Sequence, residues 1–268
     1  MIHLNDLNIA ISGVRPRRFI HISDQHIAVH FPGDTPEYVK YAEFYAAAWG
    51  TEGKSSYENF EDFLSLAVEE KPDALTIAGD LVDACSVSNV RYLIEKFRDF
   101  PVEYLYVYGN HEPEAHGPVW LDEKMRNQAE DARLVGKYPE FWVRDFGDLL
   151  IIGADDSERT VTASVLEKIR KELSRGIPSL VVIHAPLSIP PFDEEVRKKV
   201  EDCNYYLFGH EKPSELTREF YDLLTSEKSP VYGILSGHVH FCSETEYQPG
   251  RKQMTAAPGW GWRITING

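Results

Sequence analysis

Cysteine is scarce in this chain: Cys85, Cys203 and Cys242 are the only three in 268 residues, far apart and without a C-x-x-C pair. That excludes a disulfide framework and a thiolate zinc site, and a reducing compartment is the expectation. Basic residues are also in deficit, with 28 Lys and Arg against 43 Asp and Glu and a formal charge of −15. Sequence-independent nucleic-acid binding draws its affinity from Lys and Arg that neutralise backbone phosphates, so this balance argues against it. Bound cations can still create a local positive site in an acidic protein. No apolar run is long enough to span a bilayer, and residues 1–18 lack the charged-then-apolar order of a secretory signal. The expected location is the cytoplasm, with no membrane partner. A fixed-period repeat, a low-complexity tract and a composition break are all missing, so one domain over residues 1–268 is expected.

What is present is an alternation of short β-branched or aromatic runs with amphipathic stretches, the pattern of an α/β layered domain. Five runs read as strands that each end on something polar. Residues 18–23 run into Asp24, 73–78 into Gly79-Asp80, and 102–108 into Gly109-Asn110-His111-Glu112. Residues 179–183 deliver His184, and 231–236 deliver Gly237-His238-Val239-His240. Apolar residues at helical spacing predict helices at about 57–70, 88–99, 121–134, 163–175, 194–201 and 214–227. A hairpin is expected over 141–154, because Asp145-Phe146-Gly147-Asp148 is a turn signal between apolar runs. Further short strands are expected at 244–247, 253–257 and 262–266. Residues 31–56, rich in Tyr, Phe and Ala, are long for a strand-to-helix connection. They read either as a partly helical flap or insertion near the site, or as a surface decoration.

In open α/β sheets the ligand crevice lies beyond the carboxyl ends of the strands, so polar residues just past several strand ends can converge. The strand ends here supply Asp24, His26, Asp80, Asn110, His111, His184, His238 and His240. Carboxylate, imidazole and amide donors suit Mn, Fe or Zn rather than a thiolate-bound metal. Residues two apart on an extended chain project to one face, which would let Asp24 and His26, or His238 and His240, reach one site. Seven donors besides His111 are too many for one tetrahedral ion, yet they suit two neighbouring ions that share a carboxylate. Gly79, Gly109 and Gly237 each precede a candidate ligand, where the missing Cβ permits a sharp turn and close approach.

Taken in order, the set is D-x-H, GD-x-x-D, GNHE, a His after an apolar strand, and G-H-x-H. It resembles the calcineurin-like metallophosphoesterase superfamily over residues 19–241, with every metal-binding motif present. The resemblance implies a four-layer αββα sandwich, two mixed β-sheets flanked by helices, with metals at one edge of the paired sheets. It implies one metal held by Asp24, His26, Asp80 and His240, and another by Asp80, Asn110, His184 and His238, with Asp80 as the bridge. His111 corresponds to the histidine that contacts substrate phosphate and can protonate the leaving group. After GD-x-x-D this chain continues Asp83-Ala84-Cys85 where the protein serine/threonine phosphatases have Arg-Gly, which argues against that branch.

The chemistry expected is hydrolysis of a small phosphomonoester or phosphodiester. Two cations about 3.5–4 Å apart clamp the attacking and leaving oxygens, and the water they share attacks as hydroxide. His111 would donate a proton or stabilise charge on the phosphoryl oxygens. A nuclease of the same superfamily is an alternative, but it needs a basic groove or an extra domain; a non-catalytic metal-binding scaffold is another. Asp83 and Glu112 are candidates to orient ligands, with a solvated acid or a turn cap as the plainer reading. His21, His30, His116 and His210 read as structural or exposed, and Cys85 as a packing residue. Trp260, Trp262 and Arg263 could line the substrate cleft, Arg263 through bidentate phosphate contacts, although core packing is the simpler role for the tryptophans.

Overall fold

The computed structural model describes residues 2–113, 122–136, 138–200, 203–210 and 213–268. Two mixed sheets stack face to face. The first contains β1 (His3–Ala10), β2 (Arg17–Ile22), β3 (Ala74–Ala78), β4 (Tyr104–Val107) and β11 (Trp260–Asn267), in the order β1-β11-β2-β3-β4. The second contains β5 (Phe141–Asp145), β6 (Leu150–Ala154), β7 (Ser179–Val182), β8 (Val231–Ser236), β9 (Ser243–Gln248) and β10 (Arg251–Thr255), in the order β5-β6-β7-β8-β10-β9. Strands β2, β3 and β4 are mutually parallel, as are β6, β7, β8 and β10. Every residue of β3 and of β6 is buried, as expected of central strands covered on both faces.

Between the sheets lies an apolar layer to which Phe19, Ala78 and Val107 contribute from one side and Ile151, Val182 and Leu235 from the other. Helices α1 (Pro36–Ala48), α2 (Ser56–Glu70), α3 (Val87–Phe97) and α4 (Glu123–Asp131) belong to the first half of the chain. Phe60 and Phe63 of α2 and Leu93 and Phe97 of α3 pack on Ile20 and Ile77 of the first sheet. Helices α5 (Ala163–Leu173), α6 (Pro190–Arg197), α7 (Cys203–Tyr206) and α8 (Glu215–Thr225) follow. Val165, Ile169, Phe192, Phe220 and Leu224 from this group cover Ile152, Val181 and Ile234 of the second sheet. The result is the expected helix-sheet-sheet-helix layering.

Local signals account for the helix ends. Ser55 and Glu58 form a capping box at the start of α2, and Lys71 closes it in a left-handed conformation. Helix α6 begins at Pro190 rather than 194, because Pro190 and Pro191 occupy the first turn, where a missing N–H costs nothing. Helix α4 starts on an Asp122 cap and ends at Asp131, ahead of a left-handed Arg133, and residue 121 lies outside the described residues. Strand β1 was not expected. Asn5, Asp6 and Asn8 interrupt its apolar pattern, and its parallel partner is β11, at the other end of the chain. Segment 31–56 does contain a helix, α1, which starts on a Thr35 cap and Pro36.

Phe60 is completely buried between α2 and the first sheet. Phe60→Ala is expected to lower unfolding free energy by about 3–5 kcal/mol, measured by urea denaturation, through lost transfer energy and an unfilled cavity.

Candidate metal centre

The parallel strands of both sheets end along one edge, and the candidate residues occupy the loops just beyond. Hydrogen bonds knit those loops together: Asp24 N–H donates to Gly79 O (3.0 Å), His26 N–H to Asp80 O (2.9 Å), and Gly237 N–H to His184 O (2.9 Å). One link across the two sheets is the His238 N–H, which lies 3.0 and 2.9 Å from the two Asp24 carboxylate oxygens. His111 N–H donates to Asp80 Oδ1 at 2.8 Å.

Asp24, His26, Asp80 and His240 each present one ligand atom within 4.8 Å of the others, and Asp80, His184 and His238 form a second such group. Asp80 belongs to both. Asn110 joins the second group, with its Oδ1 3.1 Å from His184 Nε2. A further group, His26, Asp83 and His111, overlaps the first through His26. All eight residues singled out by sequence therefore gather at one place.

The backbone gets them there in an unexpected way. Asp24, His26, Asp80, His238 and His240 all have positive φ, between 45° and 67°. The D-x-H and H-x-H pairs are thus not extended strands with alternate side chains on one face, as expected from spacing. Left-handed turns at both members bend each pair back on itself. Non-glycine residues resist this region, and such strain gathers at functional sites where the surroundings enforce it. Gly79 shares the conformation at φ +83°, and a Cβ there would strike the Gly109 backbone. A Cβ on Gly237 would collide with the side chains of Ser23 and Asp24.

The electrostatics are those of a place that calls for positive charge. His184 Nδ1 lies 2.7 Å from the Ala78 carbonyl, which can only accept, so Nδ1 carries the proton. In the neutral ring Nε2 is then a lone pair, 3.2 Å from Asp80 Oδ2 and 3.1 Å from His238 Nδ1. On the other side His26 Nε2 and His240 Nε2 are 3.1 Å apart, and His240 Nε2 is 3.3 Å from Asp24 Oδ1. Burial opposes a charge on His184, yet Asp80, Asp24 and Asp156 outweigh it and push its pKa up to about 10. Burial likewise opposes ionisation of Asp24 and Asp80, and the neighbouring imidazoles nonetheless hold both carboxyls below the usual range. A cation among these acceptors would relieve the same demand in place of protons.

A model of the calcineurin-like phosphoesterase family matches residues 17–242. The chain belongs to that family. Among solved structures it is similar to a dimetal phosphatase from Danio rerio, with a TM-score of 0.53 and 13% identity over 91% of this chain and 88% of that one. It is also similar to TT1561 of Thermus thermophilus, with a TM-score of 0.51 and 14% identity over 91% of each chain. No curated protein matches.

Around this candidate centre a second set of groups holds the loops. Glu112 is buried and accepts from three backbone N–H groups, those of Asp80 (3.0 Å), Leu81 (2.7 Å) and Gly109 (2.7 Å). Asp83 is also buried; its carboxylate accepts from Tyr41 Oη and from Trp49 Nε1 (2.7 Å) and lies 3.4 Å from His26 Nδ1. Neither is a solvated acid: Asp83 stands beside a candidate ligand imidazole, whereas Glu112 caps loop backbone, the plainer of the two roles the sequence allowed it. Asp156 went unnoticed in the sequence. It receives the N–H groups of His184 (2.6 Å) and Ala185 (2.9 Å), and the available signal was its place just past β6 on the same edge. Tyr41 and Trp49, from α1 and its C-cap, were missed too, since only the fold carries them to Asp83. Trp49 stacks on His26 with ring centroids 4.3 Å apart.

His111 is half-buried, and its Nδ1 lies 2.7 Å from the Asp83 carbonyl, so Nδ1 donates and Nε2 is left over. Burial pulls its pKa down, but Asp80, Asp83 and Glu112 prevail and raise it. Other expectations resolve simply. His21 is buried between Thr76 Oγ1 (3.1 Å) and Ser236 O (3.0 Å), and burial lowers its pKa to about 4. His210 meets Ser188 Oγ at 3.0 Å, His30 is partly exposed, and His116 lies outside the described residues. Cys85 packs at the border of the first core, where burial raises its thiol pKa. Arg263 is not a phosphate contact, because Glu70 and Asp6 already hold its guanidinium. Trp262 is core, with its Nε1 on Thr255 O, whereas Trp260 is 40% exposed and not core.

Removing the Glu112 carboxylate leaves three buried donors without an acceptor. Glu112→Ala is expected to lower stability by about 3 kcal/mol or more, read by urea denaturation of the metal-free protein.

Proposed function

We propose that this chain is a dinuclear-metal-dependent hydrolase of phosphate esters that acts on a small phosphorylated molecule. The observation that carries the reading is that two groups of mutually close carboxylate and imidazole donors share Asp80. Their candidate ligand atoms lie 3.1–3.3 Å from one another, a crowding that suits cations. In this reading Asp24, His26, Asp80 and His240 hold one ion, and Asp80, Asn110, His184 and His238 hold the other. The mixture of oxygen and nitrogen donors favours Mn, Fe or Zn. When bound, such a pair supplies Lewis acidity toward phosphoryl oxygens and an activated water near neutral pH.

The protein's own groups do the rest. Asp80 is fixed from two directions, by His111 N–H on its carboxylate and by Glu112 on its backbone N–H. The His184 ring is oriented by its Nδ1 proton on Ala78 O, which directs Nε2 at the centre. His111 donates through Nδ1 to Asp83 O and so keeps Nε2 for substrate, where it protonates the leaving oxygen or stabilises charge on the phosphoryl oxygens. The acidic balance of the chain favours a compact ester over a polynucleotide. Its three free cysteines fit a reducing compartment, the cytoplasm in this reading. Among the described residues no helix is long and apolar enough to cross a membrane.

Purified protein reconstituted with Mn, Fe or Zn is expected to hydrolyse a chromogenic phosphate monoester or diester. Asp80→Ala should lose both metal content and turnover. His111→Ala should retain the metals and lose about 10²–10⁴-fold in kcat; parental activity would remove His111 from the mechanism. Single-stranded DNA cleaved faster than any small ester would favour a nuclease instead, and metal binding without turnover of any ester would favour a scaffold.

A further inference from the structure

A cleft of about 500 Å³ opens directly beside the proposed centre, with His240 in its wall. Trp49 and Trp260 line it together with Phe241, Ala257 and Pro258, and among the described residues no Lys, Arg, Asp or Glu lines it. Both indoles are held in place by partners on one face. Trp49 lies on His26 and stands at 76° to the His240 ring, with 4.8 Å between centroids, and Trp260 lies on His3 at 4.1 Å. The two walls also meet: Gly259, at φ +71°, approaches Thr51 so closely that a Cβ would sit 2.6 Å from Oγ1. Asn59 Nδ2 secures that Thr51 oxygen at 2.9 Å.

We propose that this cleft is the subsite for the organic part of the ester, and that the organic part carries a planar aromatic or heteroaromatic ring. The inference rests on the phosphoesterase reading and specifies its substrate class. Three arguments support it. The cleft is continuous with the phosphate end through His240, so whatever is esterified to the phosphate reaches it. Its volume suits a compact ligand, whose pockets are typically about 300–1,000 Å³. Its chemistry is aromatic and uncharged, which offers ring stacking and apolar contact but no ion pair for a polyphosphate tail, an amine or a second carboxylate. Indoles already fixed by stacking lose little freedom on binding a ring. Residues 49–51 lie in the long connection noted in the sequence, and Trp260 at the start of β11, so two segments far apart in sequence build the subsite.

Benzyl phosphate and propyl phosphate, with their methyl diesters, form the test, because both alcohols are alkyl leaving groups of similar reactivity. With the metal-loaded full chain, kcat/KM should favour the benzyl ester by about tenfold, the scale of one stacking contact. Trp260→Ala should bring the two esters within about twofold, by raising KM for the benzyl ester far more than for the propyl ester. Trp260→Phe should restore the preference. An unchanged metal content and an unchanged urea midpoint report an intact fold in both variants. Binding of benzylphosphonate and propylphosphonate, followed by calorimetry, separates this inference from the one beneath it. If esters are hydrolysed but the two phosphonates bind alike, or the benzyl preference survives Trp260→Ala, the aromatic subsite is wrong. If no ester is hydrolysed and benzylphosphonate still binds more tightly, the cleft stands and the phosphoesterase reading fails.

Discussion

Carboxylates and imidazole lone pairs cannot crowd together in a buried place without positive charge to hold them. At the edge where the two sheets meet, Asp24, Asp80, His26, His184, His238 and His240 do crowd in this way. Much of the surrounding structure serves that constraint. Five of the seven candidate ligands adopt left-handed backbone that ordinary side chains avoid. Gly79 and Gly237 are the positions where a side chain would push the loops apart. Glu112 takes up the backbone N–H groups of Asp80, Leu81 and Gly109, and Asp156 those of His184 and Ala185, so a buried acid holds each of these loops. Removing the crowding would remove the reason for all of this.

The site also explains the arrangement of the layers. Asp24, Asp80 and Asn110 follow strands of the first sheet, while His184, His238 and His240 follow strands of the second. Neither sheet alone supplies either proposed ion with its full set. The shared apolar layer, with Phe19 and Val107 on one side and Leu235 and Val182 on the other, therefore fixes the distance across the centre. Packing in that layer and geometry at the edge are one problem, because close-packed interiors transmit displacement rather than absorb it.

Much of the candidate site was legible in the sequence because its residues sit at strand ends, and a strand end is marked by a short apolar run and a glycine. Asp80, Asn110 and His238 each follow such a run and a glycine and His184 a run alone, and it was their order along the chain, with the resemblance it carries, that made them a ligand set. The reason offered for D-x-H and H-x-H was different from the one the fold uses: two-residue spacing implies a common face only in extended chain, and here the backbone turns left-handed at both members. Strand β1 escaped notice because asparagine and aspartate break its pattern and its partner lies at the far end of the chain. Asp156 escaped because one acid in Asp155-Asp156 looks like any other surface acid until β6 is seen to end on the same edge. The hold of Tyr41 and Trp49 on Asp83 was beyond reach, since it depends on where α1 folds back and no local pattern encodes that. Residues 31–56 thus contribute to the centre through Asp83 and through the indole laid on His26.

The most direct test of the central claim is anomalous X-ray diffraction from crystals of the protein grown with Mn. Two peaks are predicted, one on each side of the Asp80 carboxylate, one within coordination distance of Asp24, His26 and His240 and the other of Asn110, His184 and His238. A single peak, or none near Asp80, would contradict the account.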